Sequence, residues 1–271
     1  MDGLHIVVPV KQVPETGKAR MDEETGTIRR EGVESIVNPL DLYAIETALR
    51  VRESLGGDIV ALSMGPPGAQ AALRETLAMG ADRAVLVSGR EFAGSDTWAT
   101  SYALAQGIRQ IGEFDLILCG ERATDGDTGQ VGPALAAFLD LPPITYVSRV
   151  EDVSDGWIRV RRLVEAGYQA LASPLPCLLT VVKEIAEPRL PTLLGKRRAR
   201  GAEIPTLGAD DIGAARDRIG LAGSPTRVVK ITHPRLARAG DRVVVKTEED
   251  VAPAVERIVA FLGERLPRPQ Q

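Results

Sequence analysis

The run Ile117-Leu118-Cys119-Gly120-Glu121-Arg122-Ala123-Thr124-Asp125-Gly126-Asp127-Thr128-Gly129-Gln130-Val131-Gly132-Pro133, continued by Ala134-Leu135-Ala136-Ala137-Phe138-Leu139, decides how this chain folds. An apolar strand leads into a loop of small and acidic residues, and the loop leads into an amphipathic helix. That order places backbone N–H groups at a helix N-terminus, the geometry that holds a phosphate. Gly126, Gly129 and Gly132 permit close approach and positive φ. Asp125, Asp127 and Thr128 are able to cap the helix, and Gln130 to reach a phosphate or ribose oxygen. The loop matches neither the Walker A nor the GxGxxG pattern. A capped crossover helix with glycine turns and no ligand accounts for the same residues. The two aspartates repel phosphate unless capping occupies their oxygens.

Outward from this run, apolar strand-like stretches recur at His5–Val10, Ile59–Ser63, Ala84–Val87, Leu116–Cys119 and Cys177–Val182. Between them, Pro39–Leu55, Gly68–Met79, Asp96–Ile111 and Gln130–Leu139 carry apolar residues at spacings of three and four. Alternating strands and helices predict an α/β, Rossmann-like fold: a mostly parallel sheet with helices on both faces. Asn38-Pro39 and Ser95-Asp96 are helix-start signals. Val147–Val153 and Trp157–Glu165, joined at Ser154-Asp155-Gly156, predict an antiparallel hairpin at a sheet edge. Its arginines belong to a solvated strand face.

From Glu187 onward, prolines and glycines punctuate the chain until a final helix at Glu249–Leu262. The reading is a nucleotide-binding α/β domain over residues 1–186 and an extended C-terminal arm over residues 187–271.

Composition narrows the functional classes. The net charge is −4 and aromatic residues make up 4%, which argues against a nucleic-acid binder. Cys119 and Cys177 lie in apolar runs, too few for a disulfide framework, so a cytoplasmic protein is expected. The first ten residues lack signal-peptide character, and no apolar run is long enough to enter a membrane. His5 reads as a buried strand histidine and His233 as a surface one, neither a catalytic base.

Pro9, Val10 and Lys11, Ser63, Met64 and Gly65, and the Gly120–Val131 loop all follow strands. They therefore sit on the carboxyl edge of the expected sheet, where open parallel sheets carry their ligand crevice. Asn38 and Asp41 begin a helix, where capping explains them as well as ligand contact does. Lys11 is either a solvated loop lysine or a phosphate or flavin contact.

With these motifs assembled, the chain resembles the β subunit of electron transfer flavoproteins. The resemblance rests on Pro9-Val10-Lys11-Gln12-Val13-Pro14, Asn38-Pro39-Leu40-Asp41 with Ala44-Ile45-Glu46-Ala48-Leu49, Ser63-Met64-Gly65, Asp125–Pro133, Glu187-Pro188-Arg189-Leu190-Pro191-Thr192-Leu193, and Gly223-Ser224-Pro225-Thr226. It spans nearly the whole chain. It implies a heterodimer with an α subunit that carries FAD, the β arm clasping its partner.

In ordinary members, which link acyl-CoA dehydrogenases to a quinone oxidoreductase, the β site holds structural AMP. In electron-bifurcating members it holds a second FAD. There the resemblance implies hydride uptake from NADH, one electron going to ferredoxin or flavodoxin and the other through the α-subunit FAD to a high-potential acceptor. AMP-type loops resemble one another in three successive acids followed by an Asn-Gln-Thr-Gly-like helix start. Here Gly126 stands at the middle acid and Val131 at the hydroxyl position, which points to FAD.

By the same resemblance the cofactor residues are Pro9, Val10, Lys11, Asn38, Asp41, Ser63, Met64, Gly65, Ser95, Asp96, Thr97, Gly120, Ala123, Thr124, Asp125, Gly126, Asp127, Thr128, Gly129, Gln130 and Val131. No catalytic or metal-binding residue is implied. Leu193 stands where the family carries an apolar anchor for partner dehydrogenases, flanked by Leu190 and Leu194, and packing on the arm's own helix is the alternative. Lys196, Arg197, Arg198 and Arg200 form a basic stripe suited to acidic partners. A nucleotide-sensing domain shares the strand–loop–helix order, but the P-loop lysine motif is missing.

Overall fold

The computed structural model describes residues 3–15, 35–154, 156–227 and 242–265. Two compact units are present, Met1–Val229 and Lys230–Gln271.

The first unit is built on β1 (Leu4–Pro9), β4 (Gly57–Met64), β5 (Arg83–Val87), β6 (Leu116–Gly120) and β10 (Cys177–Val181). These strands are mutually parallel where they pair. Successive side chains alternate between the faces, as the two-residue period requires. Ile6, Val8, Leu116 and Leu118 join one buried cluster, and Val7 and Ile117 join the other. The first cluster is covered by α1 (Asp41–Leu55) and α2 (Gln70–Met79), the second by α3 (Thr97–Ile111) and α4 (Val131–Leu139). In α1 the buried Ala44, Ile45, Ala48 and Leu49 show why the spacing of three and four makes this segment a helix.

A small antiparallel pair, β2 (Gln12–Pro14) and β3 (Ser35–Val37), lies beside the main sheet. With β7 (Pro143–Ser154), β8 (Trp157–Val164), β9 (Gly167–Pro174) and β11 (Thr206–Leu207), the main sheet orders as β11-β5-β4-β1-β6-β10-β7-β8-β9. The chain winds outward from β1 through β4 and β5 on one side and resumes with β6 on the other. The β1/β6 boundary is therefore the topological switch point, and the carboxyl end of such a boundary is where open α/β sheets form a crevice.

Several sequence-level expectations change. The edge hairpin is a three-stranded antiparallel meander, because Gly167–Pro174 pairs with all of β8. The segment after Glu187 is not a uniform arm. It contains α5 (Leu193–Gly201), which packs on α2, and β11, which extends the sheet beside β5. Residues 187–227 thus belong with the sheet, and the compact boundary falls at Val229 rather than at 186. His5 is exposed at the amino end of β1, where its ring pairs with Asp58. His233 lies outside the described residues. The last helix, α6 (Val251–Arg265), starts after a Thr247–Asp250 capping box. Among the described residues, no helix is long and apolar enough to cross a membrane.

Candidate functional site

The carboxyl ends of β1, β4 and β6 converge as the sequence required. Pro9 ends β1, and Val10 continues its line by donating its N–H to the Leu62 carbonyl at 2.8 Å. Lys11 then turns over the crevice, its Nζ 2.7 Å from Asp125 Oδ1. That ion pair joins the first strand's loop to the β6–α4 loop across the switch point.

Asp41 organises the floor. Its Oδ2 accepts the Lys11 backbone N–H at 2.8 Å, and its Oδ1 accepts the Asn38 amide at 2.9 Å. Gly120 adds a further backbone hydrogen bond. Burial pushes the Asp41 carboxyl up to about 7, opposed by these hydrogen bonds and by the Lys11 charge. A Cβ at Gly120 would lie 2.5 Å from Asp41 Oδ1 and 2.8 Å from the Leu40 carbonyl, so only glycine lets β6 and the start of α1 meet.

Neither Asn38 nor Asp41 caps α1 through a side-chain hydrogen bond; its N-cap is Leu40. Asn38 instead stitches two loops together. Its amide also donates to the Arg122 carbonyl at 2.9 Å, and its Oδ1 accepts the Thr124 N–H at 3.1 Å. The sequence shows an Asx residue before a proline and suggests a cap. The tertiary contact has no local signature.

The loop itself departs from the capping expectation. No side chain caps α4: Asp125 pairs with Lys11, and Asp127 lies 3.1 Å from Arg122 Nε. Asp127 has φ 53° and its N–H closes a turn onto the Ala123 carbonyl at 2.8 Å. Gly129 is also left-handed, at φ 62°. Both aspartates are thereby paired with cations rather than bare toward the crevice, which removes the objection that they repel phosphate. A Cβ at Gly126 would meet nothing within 4 Å. Gly132 is required for packing, since a Cβ there would sit 2.6 Å from Thr180 Cγ2 of β10.

Ser63, at the end of β4, is fully buried and its hydroxyl has no hydrogen-bond partner among the described residues. Buried hydroxyls are rarely left so. Met64 and Gly65 continue into a cleft of about 530 Å3, which Ser88, Arg90 and Phe92 also line. The residues after β5 were not singled out in the sequence, because Ser88-Gly89-Arg90 carries no recognisable motif.

Tyr146 of β7 was also missed. It is half-exposed with φ 58°, an outlier for so bulky a residue, and a Cβ at Gly129 would lie 3.9 Å from its hydroxyl.

The Ser95–Asp96–Thr97 turn has different neighbours. Asp96 Oδ1 caps α3 by accepting the N–H groups of Trp98 and Ala99, both at 3.0 Å. Its Oδ2 accepts the N–H and hydroxyl of Thr226 at 2.9 and 2.7 Å. Burial alone would raise the Asp96 pKa, but these hydrogen bonds hold it below the usual carboxylate range. Ser95 donates to the Phe92 carbonyl and accepts the Gly220 N–H. The turn is thus fastened to the Gly220–Thr226 segment. A link to the loop runs through Ser101, whose hydroxyl lies 3.2 Å from the Val131 carbonyl. Burial pushes the thiols of Cys119 and Cys177 up, so both are unreactive core side chains.

The sheet and the crevice at its switch point define a Rossmann-like α/β protein, with the β6–α4 connection at the edge of that crevice. Residues 25–212 match the electron transfer flavoprotein domain. The electron transfer flavoprotein subunit beta of Thermoanaerobacterium thermosaccharolyticum is 46% identical, covering 94% of this chain and 98% of that protein. Protein FixA of Azorhizobium caulinodans is 43% identical over 98% of this chain and 96% of its own length. The caffeyl-CoA reductase-Etf complex subunit CarD of Acetobacterium woodii is 43% identical over 92% and 95%. The chain belongs to the electron transfer flavoprotein family, on the side of its β subunits, which pair with an α subunit.

Proposed function

We propose that this chain is the β subunit of an electron-bifurcating flavoprotein, with FAD rather than AMP in the crevice at the β1/β6 switch point. The carrying observation is the open space around Gly126, where an aspartate side chain would otherwise stand over the loop. Val131 at the helix start offers no hydroxyl to a terminal phosphate. The residues present suit a nucleotide: α4 has no side-chain cap at its N-terminus, and the Lys11 ammonium reaches the loop that precedes it, while the Ser63 hydroxyl at the carboxyl end of β4 has no partner among the described residues.

When bound, the flavin supplies the conversion of a hydride's electron pair, taken from NADH, into single electrons. This chain's part is to bind and orient. Lys11 and the backbone of Gly126–Gly132 would hold the diphosphate, Asn38 and Asp41 fix the loops that carry those groups, and Pro9, Met64 and Gly65 form the walls. Ferredoxin or flavodoxin would suit as the low-potential acceptor, and the α-subunit FAD with a quinone oxidoreductase or acyl-CoA dehydrogenase as the high-potential side. The CarD relative, named as part of a caffeyl-CoA reductase complex, supports a CoA-linked acceptor. Acid release of cofactors from the purified heterodimer should give two FAD and no AMP. One FAD and one AMP would overturn the reading.

The last unit has the character of a partner-binding element. Val251, Val255, Ile258, Val259 and Leu262 are exposed and recur at helical spacing on α6. We assign this stripe to the α subunit. Ile258→Asp is expected to weaken the heterodimer by on the order of 2–4 kcal/mol, as for an interface anchor. Size-exclusion chromatography of the co-expressed subunits measures it. An unshifted heterodimer peak at low micromolar concentration would remove α6 from the interface. Leu193 is exposed at 88%, with Leu190 at 87% and Leu194 at 76%. They are assigned to docking of a partner dehydrogenase.

A further inference from the structure

The docking leucines are held outward by the chain on both sides. Upstream, Arg189 reaches two carboxylates of α1. Its backbone N–H and Nε donate to Glu46 Oε2 at 3.1 and 2.8 Å, and Nη2 donates to Glu46 Oε1 at 3.2 Å. Nη1 and Nη2 also engage both oxygens of Glu53. Arg50 bonds Glu46 Oε1 at 2.7 Å from the other side. The Glu46 side chain is only 3% exposed. Burial would raise its pKa, but Arg189 and Arg50 hold it below the ordinary value.

Downstream, Thr192 caps α5 by accepting the Gly195 N–H at 2.9 Å. A Cβ at Gly195 would fall 2.1 Å from the Ala78 carbonyl oxygen, so α5 sits flush on the end of α2. The two helices cap each other. Arg198 donates to the Leu77 and Ala81 carbonyls at 3.0 and 2.9 Å, and Arg74 donates to the Ala199 carbonyl at 2.6 Å. Arg198 is thereby withdrawn from the basic stripe, and Lys196, Arg197 and Arg200 remain as exposed cations beside the leucines.

A buried ion pair is a poor way to gain stability, since apolar residues of similar volume do as well. What a forked guanidinium on two carboxylates supplies is direction. Here it fixes the backbone and the side chain of one residue to one helix. That helix begins at Asp41 in the cofactor crevice, and Glu46 lies five residues along it, about 7.5 Å at the helical rise.

We propose that Arg189, anchored on Glu46 and Glu53, is the positioning residue that aims the Leu190–Leu194 docking surface relative to the crevice. The partner it fits carries an apolar pocket with an acidic rim. The inference rests on the assignment of Leu193 to dehydrogenase docking.

The test compares Arg189→Lys, which keeps the charge but loses the fork, with Leu193→Ala in the purified heterodimer. An acyl-CoA dehydrogenase reduced by its substrate serves as electron donor. Arg189→Lys should raise the KM for the dehydrogenase about tenfold, with kcat and flavin content unchanged, because a small misplacement of a docking group is felt strongly. It should also speed tryptic cleavage within residues 189–200 about tenfold, through local opening.

If Leu193→Ala raises KM and Arg189→Lys moves neither KM nor proteolysis, docking stands and the positioning role falls. If proteolysis quickens with KM unmoved, the clamp is only a scaffold for α5 and the proposal is overturned. An unchanged KM in Leu193→Ala removes the docking assignment and the proposal with it.

Discussion

Asp41→Asn is expected to strip nucleotide from the crevice and to change how stability depends on pH. The wild-type carboxylate accepts from Lys11, Asn38 and Gly120. An asparagine turns one acceptor into a donor that faces donors, at a cost of roughly 1–3 kcal/mol for each group left unsatisfied. The loops carrying Lys11 and Thr124 lose their common anchor, so nucleotide content should fall severalfold.

The pH dependence has a definite sign. Asp41 has an ordinary value of 3.8 and is pushed up to about 7 in the folded chain. Between those values the folded chain retains a proton that the unfolded chain has released. The group's contribution to stability is therefore complete below pH ~4 and is lost as pH rises through about 7. The expected slope is about 1.4 kcal/mol per pH unit. Asp58 and Asp96, held below their ordinary values, act in the opposite sense at the acid end. The difference between wild type and Asp41→Asn isolates the Asp41 contribution. Denaturant unfolding at pH 5, 6 and 7 measures it. A variant whose stability runs parallel to wild type across that range would show that Asp41 is ionised throughout.

The parts of this molecule legible in the sequence are those dictated by local periodicity. The five parallel strands were visible as apolar runs, and the four helices between them as three-and-four spacing. Because the residues just after each parallel strand share the carboxyl edge of the sheet, the crevice edge was legible as well, although the strand order was not. Pro9, Met64 and Gly120 each end a strand there.

What failed was the partner of each polar residue. Asn38 and Asp125 look like helix caps because capping is local, yet their partners are Thr124 and Lys11, 86 and 114 positions away. Asp96 shows the converse. It caps α3 as its position suggests, but its second oxygen is taken by Thr226, which no spacing rule reveals. The segment after Glu187 read as irregular because α5 is short and strongly basic. Its helicity comes from packing on α2 and from exchanged arginine caps, not from an amphipathic pattern of its own.

Gly126→Asp combined with Val131→Thr should convert the crevice from FAD to AMP. The two positions act on the same phosphate region by different means. An aspartate at 126 would project into space that is empty within 4 Å of the glycine, adding bulk and a negative charge beside Asp125 and Asp127. Those two already take up the nearby cations, Asp125 through Lys11 and Asp127 through Arg122. A third carboxylate would have no such partner and would repel the second phosphate of a dinucleotide. A threonine at 131 begins α4, where its hydroxyl reaches the position of a terminal phosphate at the positive end of the helix dipole.

Together the changes penalise a diphosphate and favour a monophosphate. With a like-charge contact and one hydrogen bond at stake, about 2–4 kcal/mol, FAD content at this site should fall more than tenfold. Acid-released nucleotide from the double variant should then be one FAD and one AMP per heterodimer, with NADH-dependent flavin reduction lost. Retention of two FAD by a folded heterodimer would mean that Gly126 and Val131 do not select the nucleotide, and that the selection lies in the Met64–Phe92 cleft instead.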